Sequence, residues 1–218
     1  MYAVSFNEPM STTLPNPARP LGRPRSEHSR TAILDAAYRF LQSQPVAVIS
    51  SLHIAREAGV STATMYRWWP TKETLLLDAF LHKTQKAMMI GTKGAPLERL
   101  KQHLVEAGRF FGSKEGVVVA RLLTAIQDNP QLRDAFLERV SSPRSEEFRK
   151  VVVEAIHEGQ LPAKTNISEF ADMLFGPLFM RLIIGHEPIS DEFVTSLFEQ
   201  IVAGAKARST AEKRRPKK

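Results

Sequence analysis

Cysteine is absent from the 218 residues. Disulfides, thiolate catalysis and cysteine-based zinc sites are therefore excluded, and an intracellular, cytoplasmic chain is expected. No apolar run approaches the roughly 18 residues of a membrane span, so no membrane partner is expected. The opening stretch MYAVSFNEPM has no basic segment leading into an apolar one, and no signal peptide is expected. Catalytic signatures are missing as well. There is no GxSxG, no phosphate loop and no dinucleotide fingerprint. The six histidines, His28, His53, His82, His103, His157 and His186, lack the spacing of metal ligands. No enzyme activity, cofactor or metal is expected.

What the chain does have is basic charge at both ends. Net charge is +7. Residues 1–72 carry a net +4, residues 73–205 a net −3 and residues 206–218 a net +6. A polyanionic partner should therefore meet the ends, the plainer alternative for the C-terminal KRRPKK being a solvated tail. Residues 1–25 hold five prolines (Pro9, Pro15, Pro17, Pro20, Pro24) among Ser, Thr and Asn. They cannot bury enough apolar surface to offset ordering, which predicts a disordered arm. The arm ends in Gly22-Arg23-Pro24-Arg25.

Helical periodicity then begins. Ile33, Ala37, Phe40 and Leu41 share one face of a helix over about 27–43, stopped by Gln44-Pro45. A short helix is predicted over about Ser50 to Ala58, a turn at Gly59, and a third helix over about 62–68 capped by Ser61. Pro70 ends it, and Thr71 caps a fourth that buries Leu75, Leu76, Ala79 and Phe80. Further helices are expected after Pro96, over about 114–127, after the Asn129-Pro130 cap, and to about Glu158 beyond a break near Ser141-Ser142-Pro143. Asn166 with Glu169 opens one running to about Gly185, and Ser190 caps the last. The fold class is all-α, with nine or ten helices. The expected units are the arm (1–25), a helix-turn-helix head (26–88), a helical regulatory and dimerisation domain (89–206) and a basic tail (207–218).

Two short helices joined by a tight glycine turn form a DNA-reading unit, the second lying in the major groove. Ile54, Ala55, Ala58, Val60, Met65 and Trp69 supply its small core. Thr62, Ala63, Tyr66 and Arg67 are left facing outward. Arg67 can bond guanine through both guanidinium arms or clamp a phosphate. Tyr66 can donate its hydroxyl to a phosphate, and Lys72 stands at a helix start, where phosphate is also favoured. Arg23 and Arg25 in the arm, Arg30, Ser50 and Trp68 complete the expected contacts.

The stretch from Gly22, with RTAILDAAYRFL and HIAREAGVSTATMYRWWPTKETLL, resembles the DNA-binding domain of the TetR/AcrR family over about residues 22–88. FGPLFMRLIIGHEPISDEFV is similar to one branch of that family. The resemblance adds Thr64 to the contacts, beside Tyr66 and Lys72. It departs from the family pattern at Thr62, where lysine is common, at Ser51, where an apolar residue is usual, and at Pro45, near a usual glycine. It implies a homodimeric repressor that binds double-stranded DNA at a palindromic operator and is released by a small-molecule effector of unknown identity. The alternative is a helical DNA-organising or protein-interaction module without an effector.

The helix over about 166–185 carries two apolar stripes and the last helix one broad stripe, which points to a second subunit, the plainer alternative being a central core helix. Phe175, Phe179, Ile183, Phe198 and Ile201 are the expected interface residues. Arg121, Gln127, His103 and Arg181 are possible polar groups of an effector pocket. Deleting residues 1–25 should weaken DNA binding without shifting the melting temperature, because a basic arm can enter the minor groove beside the reading helix. Equal affinity in a fluorescence-anisotropy titration would reduce the arm to a leader.

Overall fold

The computed structural model describes residues 27–84 and 89–213, with side chains to residue 208. The arm with Arg23 and Arg25, and the end of the basic tail, lie outside the described residues. No strand occurs among those described.

Four helices make the head. Helix α1 (Glu27–Ser43) buries the expected Ile33, Ala37 and Leu41, together with Leu34, Ala36 and Tyr38. Pro45 then starts a single 3₁₀ turn, Val46–Val48, that presses Val46 and Ile49 into the core. Helices α2 (Ser51–Glu57), α3 (Thr62–Tyr66) and α4 (Lys72–Thr84) follow. Helix α4 lies along α1, tied by Lys83 to Asp35 at 2.7 Å, and continues toward the second half of the chain.

The body comprises α5 (Pro96–Phe111), α6 (Lys114–Asp128), α7 (Pro130–Phe136), α8 (Ser142–His157), α9 (Ile167–Ile184) and α10 (Asp191–Lys213). The caps fall where the sequence places them. The Leu132 N–H donates to the Asn129 side chain, those of Ser168 and Glu169 to Asn166, and that of Phe193 to Ser190. The expected break before Pro143 does not occur. Instead Leu137–Ser141 form a π-turn joining α7 to α8 in one continuous run. The Ser142 N–H and hydroxyl both donate to the Leu137 carbonyl, and the Arg144 guanidinium donates to the Val140 carbonyl. A helix absorbs a proline when the freed carbonyls find other donors and the turn widens by one residue.

Helix α5 is the spine of the body. Its start meets the end of α8, where Arg99 bonds Glu154 at 2.6 Å and the Leu97 N–H donates to Gln160. Helix α10 runs antiparallel to α5. Arg109 pairs with Asp191, and Lys101 with Glu199 at 2.8 Å. The pairing is close because Gly108 has no side chain: a Cβ there would stand 2.8 Å from the Val194 methyl and 3.2 Å from that of Ile189. The end of α5 adjoins α6, which rests on the head. Helix α10 therefore leads away from the head, and Arg208 lies toward the far end of the body.

Among the described residues, three polar links fasten head to body. Arg121 donates to the Leu41 carbonyl at 2.6 Å. The Asn129 amide reaches Glu73 at 3.3 Å. Arg139 in the π-turn pairs with Asp78 of α4 at 2.6 Å. Arg121 is thus a joint residue rather than a pocket group. Gln127 is exposed and bonds its own helix, and Arg181 donates to the Pro188 carbonyl while lying 3.4 Å over the Phe193 ring. Of the four candidates, His103 alone sits by the body's aromatic cluster. Its ring stands edge-on to Phe175, which contacts Phe148 and Phe179.

Burial lowers the His103 pKa, partly opposed by Glu147 and Glu106. A lowered histidine stabilises the fold above its unfolded pKa of about 6.5, and that stabilisation is lost as pH falls through the folded value. The melting temperature of the wild type should therefore drop between pH 7 and pH 5 by more than that of His103→Gln. Parallel melting curves for the two proteins would contradict this account.

Candidate nucleic-acid interface

A five-residue α3 is set by its ends. Ser61 caps it, accepting from the Thr64 N–H at 3.1 Å. Gly59 takes φ 67°, a left-handed turn that residues with a Cβ resist. The turn folds α3 back over α2, and the small core is as expected. Ile54, Ala55, Met65 and Trp69 are buried, and Ala58 and Val60 half-buried against them.

The opposite face is open. Ala63, Tyr66 and Arg67 are exposed, with Tyr66 at 44%, and Thr62 is half-buried. Thr64 is half-buried, its hydroxyl 2.9 Å from that of Ser61, so it helps build the cap as well as edging the surface. Ser50 precedes α2 without a side-chain capping bond. Ser51, where the family pattern has an apolar residue, is half-buried, and the next residue, Leu52, is 63% exposed. Helix α2 is thus anchored mainly through Ile54 and Ala55.

Lys72 does more than face a phosphate. Its ammonium is half-buried and donates to the Ile49 carbonyl at 3.1 Å and the Val46 carbonyl at 3.4 Å. It stitches the start of α4 to the 3₁₀ turn after Pro45, and an ammonium has one further donor to offer. The two tryptophans divide. Trp69 is buried, and its indole N–H donates to Asp78 at 2.8 Å. Trp68 is half-buried with its ring centre 6.1 Å from that of Trp69. The Arg30 guanidinium lies 6.0 Å and 5.9 Å from the two rings, so α1 reaches the same edge of α3. Asp78 and Arg139 carry no motif, and no sequence signal could have joined residues 61 positions apart.

The expected interface residues on α9 and α10 do not share one environment. Phe198 is 5% exposed and faces inward with Val194 and Val202, which corrects its assignment as an interface residue. Phe175 and Phe179 are half-buried in the body's own aromatic cluster. Ile201 is half-buried and Ile183 is 53% exposed. Met173, Met180 and Ile184 are exposed at 45%, 55% and 61%. A 3.6-residue stripe says that a face is apolar, not which neighbour covers it.

Comparison with known proteins agrees with this architecture. Residues 33–79 match the family model described as bacterial regulatory proteins, tetR family, and residues 93–201 match a tetracyclin repressor-like C-terminal domain. An uncharacterized HTH-type transcriptional regulator of Bacillus subtilis, YdeS, is 31% identical over 191 residues, 88% of this chain and 96% of that protein. The TetR family transcription regulator SCO0332 superposes with a TM-score of 0.67 at 27% identity, covering 81% of this chain and 98% of that one. FadR of Bacillus subtilis, solved in complex with stearoyl-CoA, gives a TM-score of 0.67 at 19% identity over 80% and 98%.

Arg67→Ala and Lys72→Met should separate contact from construction. The first should weaken specific binding by about 1–3 kcal/mol at unchanged melting temperature. The second should lower the melting temperature and weaken all duplexes, because the Ile49 carbonyl loses its donor while that of Val46 keeps only the Ile49 N–H. Thermal melts beside DNA titrations decide it; an unshifted Lys72→Met melt would refute the stitching role.

Proposed function

This chain belongs to the TetR family of bacterial transcriptional regulators, and from that premise we propose that it is an effector-gated repressor that binds a palindromic operator as a homodimer. The observation that carries the reading is the coexistence of two bare faces on one helical body. One is the polar surface of α3 with Tyr66 and Arg67. The other is the apolar side of α9, where Met173, Met180, Ile183 and Ile184 stand open. A contiguous apolar patch on a folded chain is a contact surface.

The two faces belong together. One head offers few base contacts, and specific sites are usually read by symmetric pairs about one helical turn apart. Arg67, Tyr66, Ala63 and Thr62 form the base-reading set, Thr64 and Trp68 edge it, and Ser50, Lys72 and Arg30 flank it toward the backbone. Arg23 and Arg25 precede α1 in the chain and serve the adjoining groove. The second subunit covers α9 and the groove of about 580 Å³ between α9 and α10, lined by Met173, Leu197, Ile201, Gly204 and Ala205. Gly176 lies mid-way along the bare side of α9 with nothing within 4 Å of where its Cβ would stand. A glycine there costs a helix about 1 kcal/mol relative to alanine, and close approach of another helix is its physical return. The body's aromatic cluster beside His103 and the polar links from α6 and the π-turn to the head support a small-molecule effector acting through the joint. The stearoyl-CoA held by the FadR neighbour supports the same reading.

Met180→Glu with Ile183→Glu should convert the dimer to monomer in light scattering. A desolvated, unpaired carboxylate costs several kcal/mol, whereas on a free surface both changes are tolerated. DNA binding should fall with dimerisation while the melting curve of the monomer stays cooperative. A dimer that survives both carboxylates would place the interface elsewhere.

A further inference from the structure

We infer that Arg139, in the π-turn between α7 and α8, is a positioning residue for DNA recognition, acting through Asp78 on the Trp69 indole. This rests on the DNA-binding reading of α3 and adds a residue from the body that no motif marks.

The chain of contacts is short and uses each group fully. Trp69 closes α3: the Trp68 and Trp69 N–H groups both donate to the Met65 carbonyl. Its indole N–H donates to Asp78 Oδ2 at 2.8 Å. Asp78 Oδ1 takes the Arg139 guanidinium at 2.6 Å, with the Asp78 side chain 18% and that of Arg139 35% exposed. One carboxylate thus has one oxygen on the recognition helix and the other on the body. Asp78 is two turns into α4, so the indole is referred to the body across α4 and not to the head alone.

The π-turn places the guanidinium. The inserted residue resets the helical register, so Val140 is buried in the core while its neighbour Arg139 faces α4. The widened turn is fixed by Pro143 and by the Ser142 and Arg144 bonds to Leu137 and Val140. Widened turns of this kind persist in helices mainly where they aim a functional side chain. The Arg30 guanidinium of α1 also stands about 6 Å from each ring of the indole pair. The pair is thus contacted both by α1 and by the Asp78–Arg139 pair, and the orientation of α3 follows from where it is held. An ordinary surface ion pair would contribute little and would carry no such consequence.

The test uses the full-length protein and a duplex enriched by the wild type from a randomised pool, with a scrambled duplex as control. Arg139→Met should bind the enriched duplex about tenfold more weakly, within the usual range for residues that modulate a distant site. Scrambled-duplex affinity and the salt slope should be unchanged, since Arg139 touches no phosphate. Asp78→Asn should show the same pattern, and the double variant should lose no more than Asp78→Asn alone. Arg139→Lys, which keeps the charge, should recover part of the loss. If Arg139→Met does not fold, Arg139→Gln enters the same comparison. A folded variant that binds the enriched duplex as well as wild type overturns the proposal, as does equal weakening on both duplexes. A wild type with no preference for any sequence in the pool would instead overturn the DNA-reading of α3.

Discussion

Five residues are too few to hold a helix in water; isolated helices stay marginal below roughly 12–15 residues. Helix α3 therefore exists because its surroundings impose it. The Ser61 cap fixes its start, Met65 pins its inner face and the buried Trp69 fixes its end. Truncating a buried aromatic costs about 3–5 kcal/mol, so Trp69 outweighs the cap, typically worth about 1 kcal/mol. Everything the outer face of α3 can do depends on that indole. This explains why the tryptophan pair is split: Trp69 spends its N–H on Asp78, and only Trp68 keeps an edge toward solvent.

The same economy governs Lys72. A lysine aimed only at a phosphate would swing freely and lose rotamer entropy on binding. Donating to the Val46 and Ile49 carbonyls holds its ammonium in place beforehand. Those carbonyls are exposed to a donor because Pro45 ends α1 and forces a 3₁₀ turn instead of a longer loop. The proline that departs from the family pattern and the lysine that conforms to it are thus parts of one corner.

Local chemistry made much of the fold readable. Ser61, Asn129, Asn166 and Ser190 begin helices because a short polar side chain satisfies N–H groups that a helix leaves open, and this needs only three or four residues of sequence. The apolar stripes of α1 and α4 were legible for the same reason. The π-turn was not, because proline predicts a stop, and no motif says that the neighbouring Ser142 and Arg144 side chains will donate to the Leu137 and Val140 carbonyls. Arg121, Arg139 and Asp78 were not, because each partner lies in another element. Phe198 was misassigned since two apolar stripes on α10 differ only in what lies opposite: α5 covers Val194, Phe198 and Val202, leaving Leu197 and Ile201 beside the open groove.

That division on α10 and the joint at α4 bear on each other. If α9 and α10 pack against a second copy, the body becomes the fixed frame, since its core is shared across the two-fold axis. Each head is then carried by α4 and by the links at Leu41, Glu73 and Asp78. The three are chemically unequal. Arg121 and Asn129 sit on α6 and at its junction with α7, whereas Arg139 belongs to a widened turn that Pro143 keeps from closing into regular helix. A packed interior rearranges between discrete states rather than stretching. A shift of α6 against the π-turn would therefore tilt α4, and with it the indole at the end of α3, instead of loosening the head as a whole. In the proposed homodimer, two symmetric heads tilting together would change the spacing of their recognition helices by twice the movement of one.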